Sequence, residues 1–230
     1  QYLGGEFVKT IADAFGVAVS TVYPKITKFL VAVDETFKID VPRTKAELRK
    51  CANEWSSLSS AFGIYDGCVG AIDGWLCCTN SPNIHNLVHY FSGHYQRYGL
   101  NVQAVCDANL RFIYFAVVAP GRTGDARAFN NCIQLQNWLD NLPAEFFLVG
   151  DNDYPLSKKM LVPFQGATKH VRFNRSYNFY LSQLRIRFEM AFGQLTTQWR
   201  IFQLLKAYSY CRISLSSSVL DCSHLSGGIN

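Results

Sequence analysis

At 230 residues, 49% of them hydrophobic and 14% aromatic, the chain has ample material for a folded core and is not a disordered polymer. Its longest apolar stretch, Phe112 to Ala119, is too short to cross a membrane. The net charge of +5 is concentrated in the last third, which fits a polyanionic partner but is a weak signal alone. Gln1 to Asp13 lacks a continuous apolar core behind a basic start, so no secretory leader is expected there, and the absent initiator Met suggests a processed or fragmentary chain. None of the eight cysteines forms a C-x-x-C pair and no His follows at ligand spacing. Reduced core thiols in an intracellular protein are favoured over disulfides or a zinc site.

In chain order, residues 5–14 place Phe7, Ile11 and Ala14 at helical spacing, and Gly16 then interrupts. Ser20-Thr21 offers an N-cap for a second helix, Val22 to about Val33, with Val22, Ile26, Phe29 and Leu30 as its apolar set and Pro24 in its first turn. Helix, turn and helix give a helix-turn-helix reading, against a plain helical hairpin as the alternative. In the first reading Ser20, Thr21, Lys25 and Lys28 are the DNA contacts. A third helix is expected behind Thr44, with Glu47 completing a capping box.

Val69-Gly70-Ala71-Ile72 reads as a buried strand ending at Asp73-Gly74, where the chain turns away. Tyr98–Cys106 and Arg111–Ala119 read as strands joined by a hairpin at Asp107-Ala108-Asn109. A helix over Ala126–Leu139 precedes a second short strand, Phe146 to Gly150, which also ends in an acid, Asp151. A short helix over Pro155–Val162, a basic loop from Lys169 to Arg175 and a long helix over Ser176–Trp199 follow. The organisation expected is an all-helical segment over 1–62, an α/β domain with a mixed sheet over 63–206, and a divergent, poorly ordered tail over 207–230.

Asp73, Asp151 and Glu189, the last on the edge of the long helix's apolar stripe, could meet around a pair of hard cations and cut a phosphodiester. The alternative stands beside it: Asp73 caps a turn, Asp151 caps the Pro155 helix and Glu189 pairs with Arg185. Gly193, one turn beyond Glu189, costs helix stability and would leave a gap for a backbone to approach. Between Lys169 and Arg200 lie Lys169, Arg172, Arg175, Arg185, Arg187 and Arg200 against the single acid Glu189. This strip could neutralise phosphates, or simply be a solvated face.

Gly70-Ala71-Ile72-Asp73-Gly74, Asn101-Val102-Gln103-Ala104-Val105, Gly121 to Phe129, Gly150 to Leu156 and Glu189 to Leu195 occur in that order. Together they resemble the PIF/Harbinger transposases and the nucleases derived from them, a DDE superfamily endonuclease group, over about residues 5–205. The resemblance implies an RNase H-like fold and a DDE triad at Asp73, Asp151 and Glu189 holding two divalent cations, Mg²⁺ or Mn²⁺. It also implies DNA as partner, a separate DNA-binding protein or an oligomer as possible associates, and a nuclear location, or a cytoplasmic and nuclear one. Asp125 matches a family acid, as a supporting or substrate-positioning group. Where the family carries Thr-His after Gly74, this chain has Trp75-Leu76-Cys77-Cys78, and the tail only echoes the family in Cys222-Ser223-His224-Leu225. A nuclease whose activity these departures could impair is therefore expected. Two rivals stand beside it: a domesticated DNA- or partner-binding protein with an idle triad, and a metal enzyme acting on a small phosphorylated substrate.

Overall fold

The structure, a computed structural model, describes residues 8–36, 39–58, 63, 65–79, 81, 87–199 and 202. Phe7, Arg200 and the expected tail over 207–230, including Cys222-Ser223-His224-Leu225, lie outside the described residues. No described helix is by itself long and apolar enough to cross a membrane.

Two helices, α1 (Val8–Phe15) and α2 (Val19–Thr36), are bent by 107° and pack through Val8, Ala12 and Val22, with Ile11 and Ile26 partly buried beside them. Helix α2 begins earlier than expected, so Ser20 and Thr21 lie within its first turn rather than ahead of it, and Pro24 lies inside the helix. Phe29, expected on the apolar face, is 54% exposed. Helix α3 (Lys45–Ser56) starts as its sequence dictates: Thr44 Oγ accepts the Glu47 N–H and Glu47 reaches back to the Thr44 N–H.

The sheet comprises β1 (Cys68–Cys78), β2 (Phe91–Ser92), β3 (Arg97–Cys106), β4 (Phe112–Pro120), β5 (Phe147–Val149) and β6 (Met160–Leu161). Strands β1, β3 and β4 form an antiparallel meander; β5 then lies parallel to β1, and β6 parallel to β5. The order β4-β3-β1-β5-β6, with a first strand flanked by its antiparallel successor and a parallel latecomer, is that of an RNase H-like mixed sheet. The β3–β4 hairpin closes as its turn residues require. The buried Asp107 carboxylate accepts the Asn109 and Arg111 backbone N–H groups and pairs with the Arg111 guanidinium at 2.7 Å.

Three local expectations fail. Strand β1 does not end at Asp73: its ladder with β3 continues from Asp73↔Ala104 to Cys78↔Gly99, so the acid sits mid-strand. Residues 155–162 form no helix. There Leu148 donates to the Lys159 carbonyl and Gly150 to the Leu161 carbonyl, because the open edge of β5 offers backbone pairing to a segment too short to nucleate a stable helix. The single helix expected over Ala126–Leu139 divides into α4 (Asp125–Asn130) and α5 (Ile133–Asp140) at Asn131-Cys132, following two weak helix formers, Asn130 and Asn131.

Helix α6 (Arg172–Gln198) crosses one face of the sheet and begins inside the segment expected to be a basic loop. It buries Leu181, Leu184, Phe188, Ala191 and Phe192 against Ala71, Ala104, Cys106 and Val149. Each large side chain so buried contributes about 1.5–3 kcal/mol. On the opposite face Phe129, Leu135 and Leu139 of α4 and α5 pack with Val69, Ile72, Val105 and Leu148. The described cysteines Cys51, Cys68, Cys78, Cys106 and Cys132 are free thiols, and burial pushes Cys132 up to about 12.

Candidate active site

Register brings two of the acids together. Ala71 of β1 pairs with Val149 of β5, and the strands run parallel. Two residues further along each chain stand Asp73 and Asp151. Neighbouring strands are about 4.8 Å apart, and residues two apart share a face. Ala71 and Val149 both pack in the α6-side cluster, so the two acids follow onto that side. Asp73 Oδ1 accepts the Gly74 N–H at 2.8 Å, and Asp151 Oδ1 accepts the Asp153 N–H at 2.9 Å, an Asx turn rather than a helix cap.

The electrostatics record the crowding. Burial, and next the charge of Asp151, push the Asp73 carboxyl up to about 7; the Gly74 N–H and Arg185 act against the shift. Burial likewise raises Asp151, again opposed by Arg185. Arg185, assigned to DNA by sequence, thus lies in the field of both aspartates. Glu189, one turn further along α6, is exposed and makes no ion pair with Arg185 among the described residues. Nor do any three His, Cys, Asp or Glu side chains among the described residues cluster closely enough to hold one metal ion. The structure brings together Asp73 and Asp151, with Asp125 close enough to influence both, and leaves Glu189 outside that group.

Asp125 approaches from the other face. It opens α4, and its carboxylate occupies the space where Gly74 lacks a side chain: a Cβ there would lie 2.0 Å from Asp125 Oδ1. That oxygen accepts Asn101 Nδ2 at 2.9 Å and Gln103 Nε2 at 3.0 Å. Gln103 Nε2 also donates to Asn101 Oδ1 at 2.9 Å, and Gln103 Oε1 accepts the Tyr154 hydroxyl at 2.7 Å. Tyr154 is buried, and burial with the three nearby acids holds its hydroxyl protonated well above the usual tyrosine range. Asn101, Gln103 and Tyr154 lie in the motifs that carry the family resemblance, but sequence reasoning gave none of them a role. The available signal was two amides, two residues apart, in an otherwise apolar strand. Tyr95, also missed, stands 53% exposed in the turn between β2 and β3; burial and the charges of Asp125, Asp73 and Asp151 raise its hydroxyl.

Two residues after Asp73, Trp75 faces α6, with its ring 5.0 Å from Phe192 and 5.9 Å from Phe202. Ser20, Thr21, Lys25 and Lys28 are all exposed on α2, as are Arg172 and Arg175 at the start of α6, while Arg187 is half-buried.

Asp73 thus lies mid-strand and Asp151 two residues past the end of the parallel neighbour, beneath one long helix. The chain belongs to the DDE superfamily endonuclease family, whose model matches residues 72–223. It is also similar to Protein ALP1-like of Arabidopsis thaliana, 24% identical over 215 residues, covering 86% of this chain and 50% of the relative. The chain thus spans half the length of that curated relative. Among solved structures, the Mos1 transposase paired-end complex with left transposon end aligns with 13% identity and a TM-score of 0.26, over 85% of this chain and 75% of that one. A pre-cleavage Mos1 transpososome aligns with 12% identity and a TM-score of 0.25, over 83% and 74%.

Proposed function

We propose that the chain is a divalent-metal-dependent DNA endonuclease of transposase type, with Asp73 and Asp151 as the principal metal ligands and Glu189 as the third acid. The observation that carries this reading is the side-by-side placement of Asp73 and Asp151, two hard oxygen donors with mutual repulsion for a cation to relieve. The donor set fits Mg²⁺ or Mn²⁺, which takes one or two carboxylates and fills its shell with water and phosphate oxygens. A pair of such cations, when bound, activates the attacking oxygen and stabilises the leaving one. The chain's own contribution is to hold the two carboxylates near each other off neighbouring strands, with Arg185 favouring their ionised forms against burial, and to present Glu189 from α6. Arg185 offsets the charge of both aspartates, and with a cation bound there it would be available to a phosphate.

Lys169, Arg172 and Arg175 crowd the start of α6, whose first turn has no acid. Cations at a helix N-terminus cost about 0.3–1 kcal/mol each unless an anion answers them, which supports DNA phosphates as their partners together with Arg187. On α2 Thr21, Lys25 and Lys28 fall within about 60° of one another at 100° per residue, with Ser20 about 80° from Lys28; all four are exposed, while Val22 is buried and Ile26 partly so. We assign that face to DNA as the reading face of a helix-turn-helix, in a protein acting in the nucleus alone, as an oligomer or with a DNA-binding partner.

The deciding experiment is plasmid nicking with Mg²⁺, Mn²⁺ or EDTA, wild type beside Asp151→Ala. Metal-dependent nicking lost in the variant is expected. Absent nicking with salt-sensitive DNA binding intact would favour the second reading, a DNA- or partner-binding protein without cleavage. That reading draws on the position of Glu189 outside the aspartate group and on apolar Trp75 beside Asp73.

A further inference from the structure

The hydrogen-bond network on the face away from α6 touches the segments carrying both aspartates. Tyr154 belongs to the turn that begins at Asp151, where its N–H meets the Asp151 carbonyl at 3.4 Å. Its hydroxyl donates to Gln103 of β3. Gln103 donates to Asp125, and Asp125 sits in the notch left by Gly74, the residue after Asp73. Gln103 is wholly buried, and its amide can point only one way. Turned over, its oxygen would face two other acceptors, Asp125 Oδ1 and Asn101 Oδ1, leaving buried groups mispaired. Asn101 Oδ1 accepts a further bond from Gln103 Nε2, and Asn101 Nδ2 donates to the Thr123 carbonyl at 2.9 Å, which ties in the loop ahead of α4.

We propose that Gln103 is a positioning residue that, through Asp125 and Tyr154, fixes the spacing of Asp73 and Asp151 from the reverse side of the sheet. The proposal rests on the reading of those aspartates as metal ligands. Backbone pairing alone does not hold the pair at that level: the β1–β5 ladder ends at Ala71↔Val149, two residues short of both acids. Beyond that point the two chains diverge, β1 continuing along β3 while β5 breaks into the Asp151 turn. The Tyr154–Gln103–Asp125 path bridges that opening with side chains. Gly74 is required for the same reason, since any side chain there would evict the carboxylate that completes the bridge.

Tyr154→Phe removes one hydroxyl and keeps the buried ring that stands 5.5 Å from Phe129. Amide hydrogen exchange on the metal-free chain is the first measurement. Exchange at Asp73 and Gly74, across the sheet from the altered side chain, should rise about 10-fold in Tyr154→Phe and in Asp125→Ala. Asp125→Asn, which keeps an acceptor oxygen for Gln103, should restore most of the protection. If exchange rises only in residues 151–154, or rises uniformly as overall stability falls, Gln103 is a core amide without a positioning role and the proposal fails. Calorimetric Mn²⁺ titration is the second measurement, with about 10-fold weaker binding expected in Tyr154→Phe at unchanged stoichiometry. A wild type that binds no Mn²⁺ would sink the metal-site reading, while the exchange result would still decide the network.

Discussion

The indole of Trp75 rests against the ring of Phe192, 5.0 Å between centroids, and joins the strand that bears Asp73 to the helix that bears Glu189. Phe192 in turn meets Phe188 at 4.7 Å and Phe112 at 4.9 Å, so the contact is one edge of an aromatic cluster spanning β1, β4 and α6. Trp75→Ala should therefore cost about 3 kcal/mol in urea unfolding. It should also reduce nicking beyond what lost stability explains, because α6 loses its register against the acid-bearing strand. Equal nicking at a temperature where both proteins are folded would show that this contact only stabilises.

The protonation of Asp73 sets two opposed pH dependences. Its folded-state value of about 7 lies above the ordinary 3.8, so the folded chain binds this proton more tightly than the unfolded one. Its contribution to metal-free stability is full below about pH 4 and is lost as pH rises through about 7. Asp73→Asn should flatten that part of the profile in thermal melts between pH 4 and 8. Mn²⁺ competes with the same proton, so its affinity in the wild type should climb over that range and level off above pH 8.

Arg185 lowers the proton affinity of both aspartates and would by the same charge disfavour a cation held by them. At pH 8.5, where both acids are ionised, Arg185→Gln should bind Mn²⁺ several-fold more tightly. DNA affinity provides the contrast: Arg172→Ala and Arg175→Ala should each lower the slope of log K against log salt by about 1. Titrations at four salt concentrations would separate the cation's neighbour from the phosphate contacts.

A side chain at position 193 would meet nothing within 4 Å. Gly193→Ala should thus stabilise α6 by about 1 kcal/mol, measurable as a higher unfolding midpoint. If DNA passes close to α6 beside Glu189, the same substitution should slow nicking while the melting temperature rises. Faster or unchanged nicking would leave Gly193 without a role in substrate approach.

The meander, the β3–β4 turn, the Thr44 cap and α6 were legible in the sequence because each rests on signals local to a few residues. What escaped depends on residues far apart. Strand β1 runs past Asp73 because β3 supplies partners as far as Cys78, and residues 160–161 pair as a strand because β5 has an open edge. The two aspartates could be named from strand-end acids and family likeness, yet what brings them near each other is the parallel β1–β5 register just before them, which no local pattern encodes. Gln103 escaped for a related reason. A pair of amides in an apolar strand signals a need for partners, but only the fold reveals that residues 125 and 154 supply them.

The division of the sheet into an antiparallel meander and a later parallel pair also orders its assembly. Strands β1, β3 and β4 are close in sequence and can zip together early, whereas β5 reaches β1 only after α4 and α5 have been threaded between them. Asp73 is therefore in place on its ladder before Asp151 arrives beside it. A chain still emerging from the ribosome would carry a single carboxylate of the pair, without its partner until the parallel half of the sheet closes.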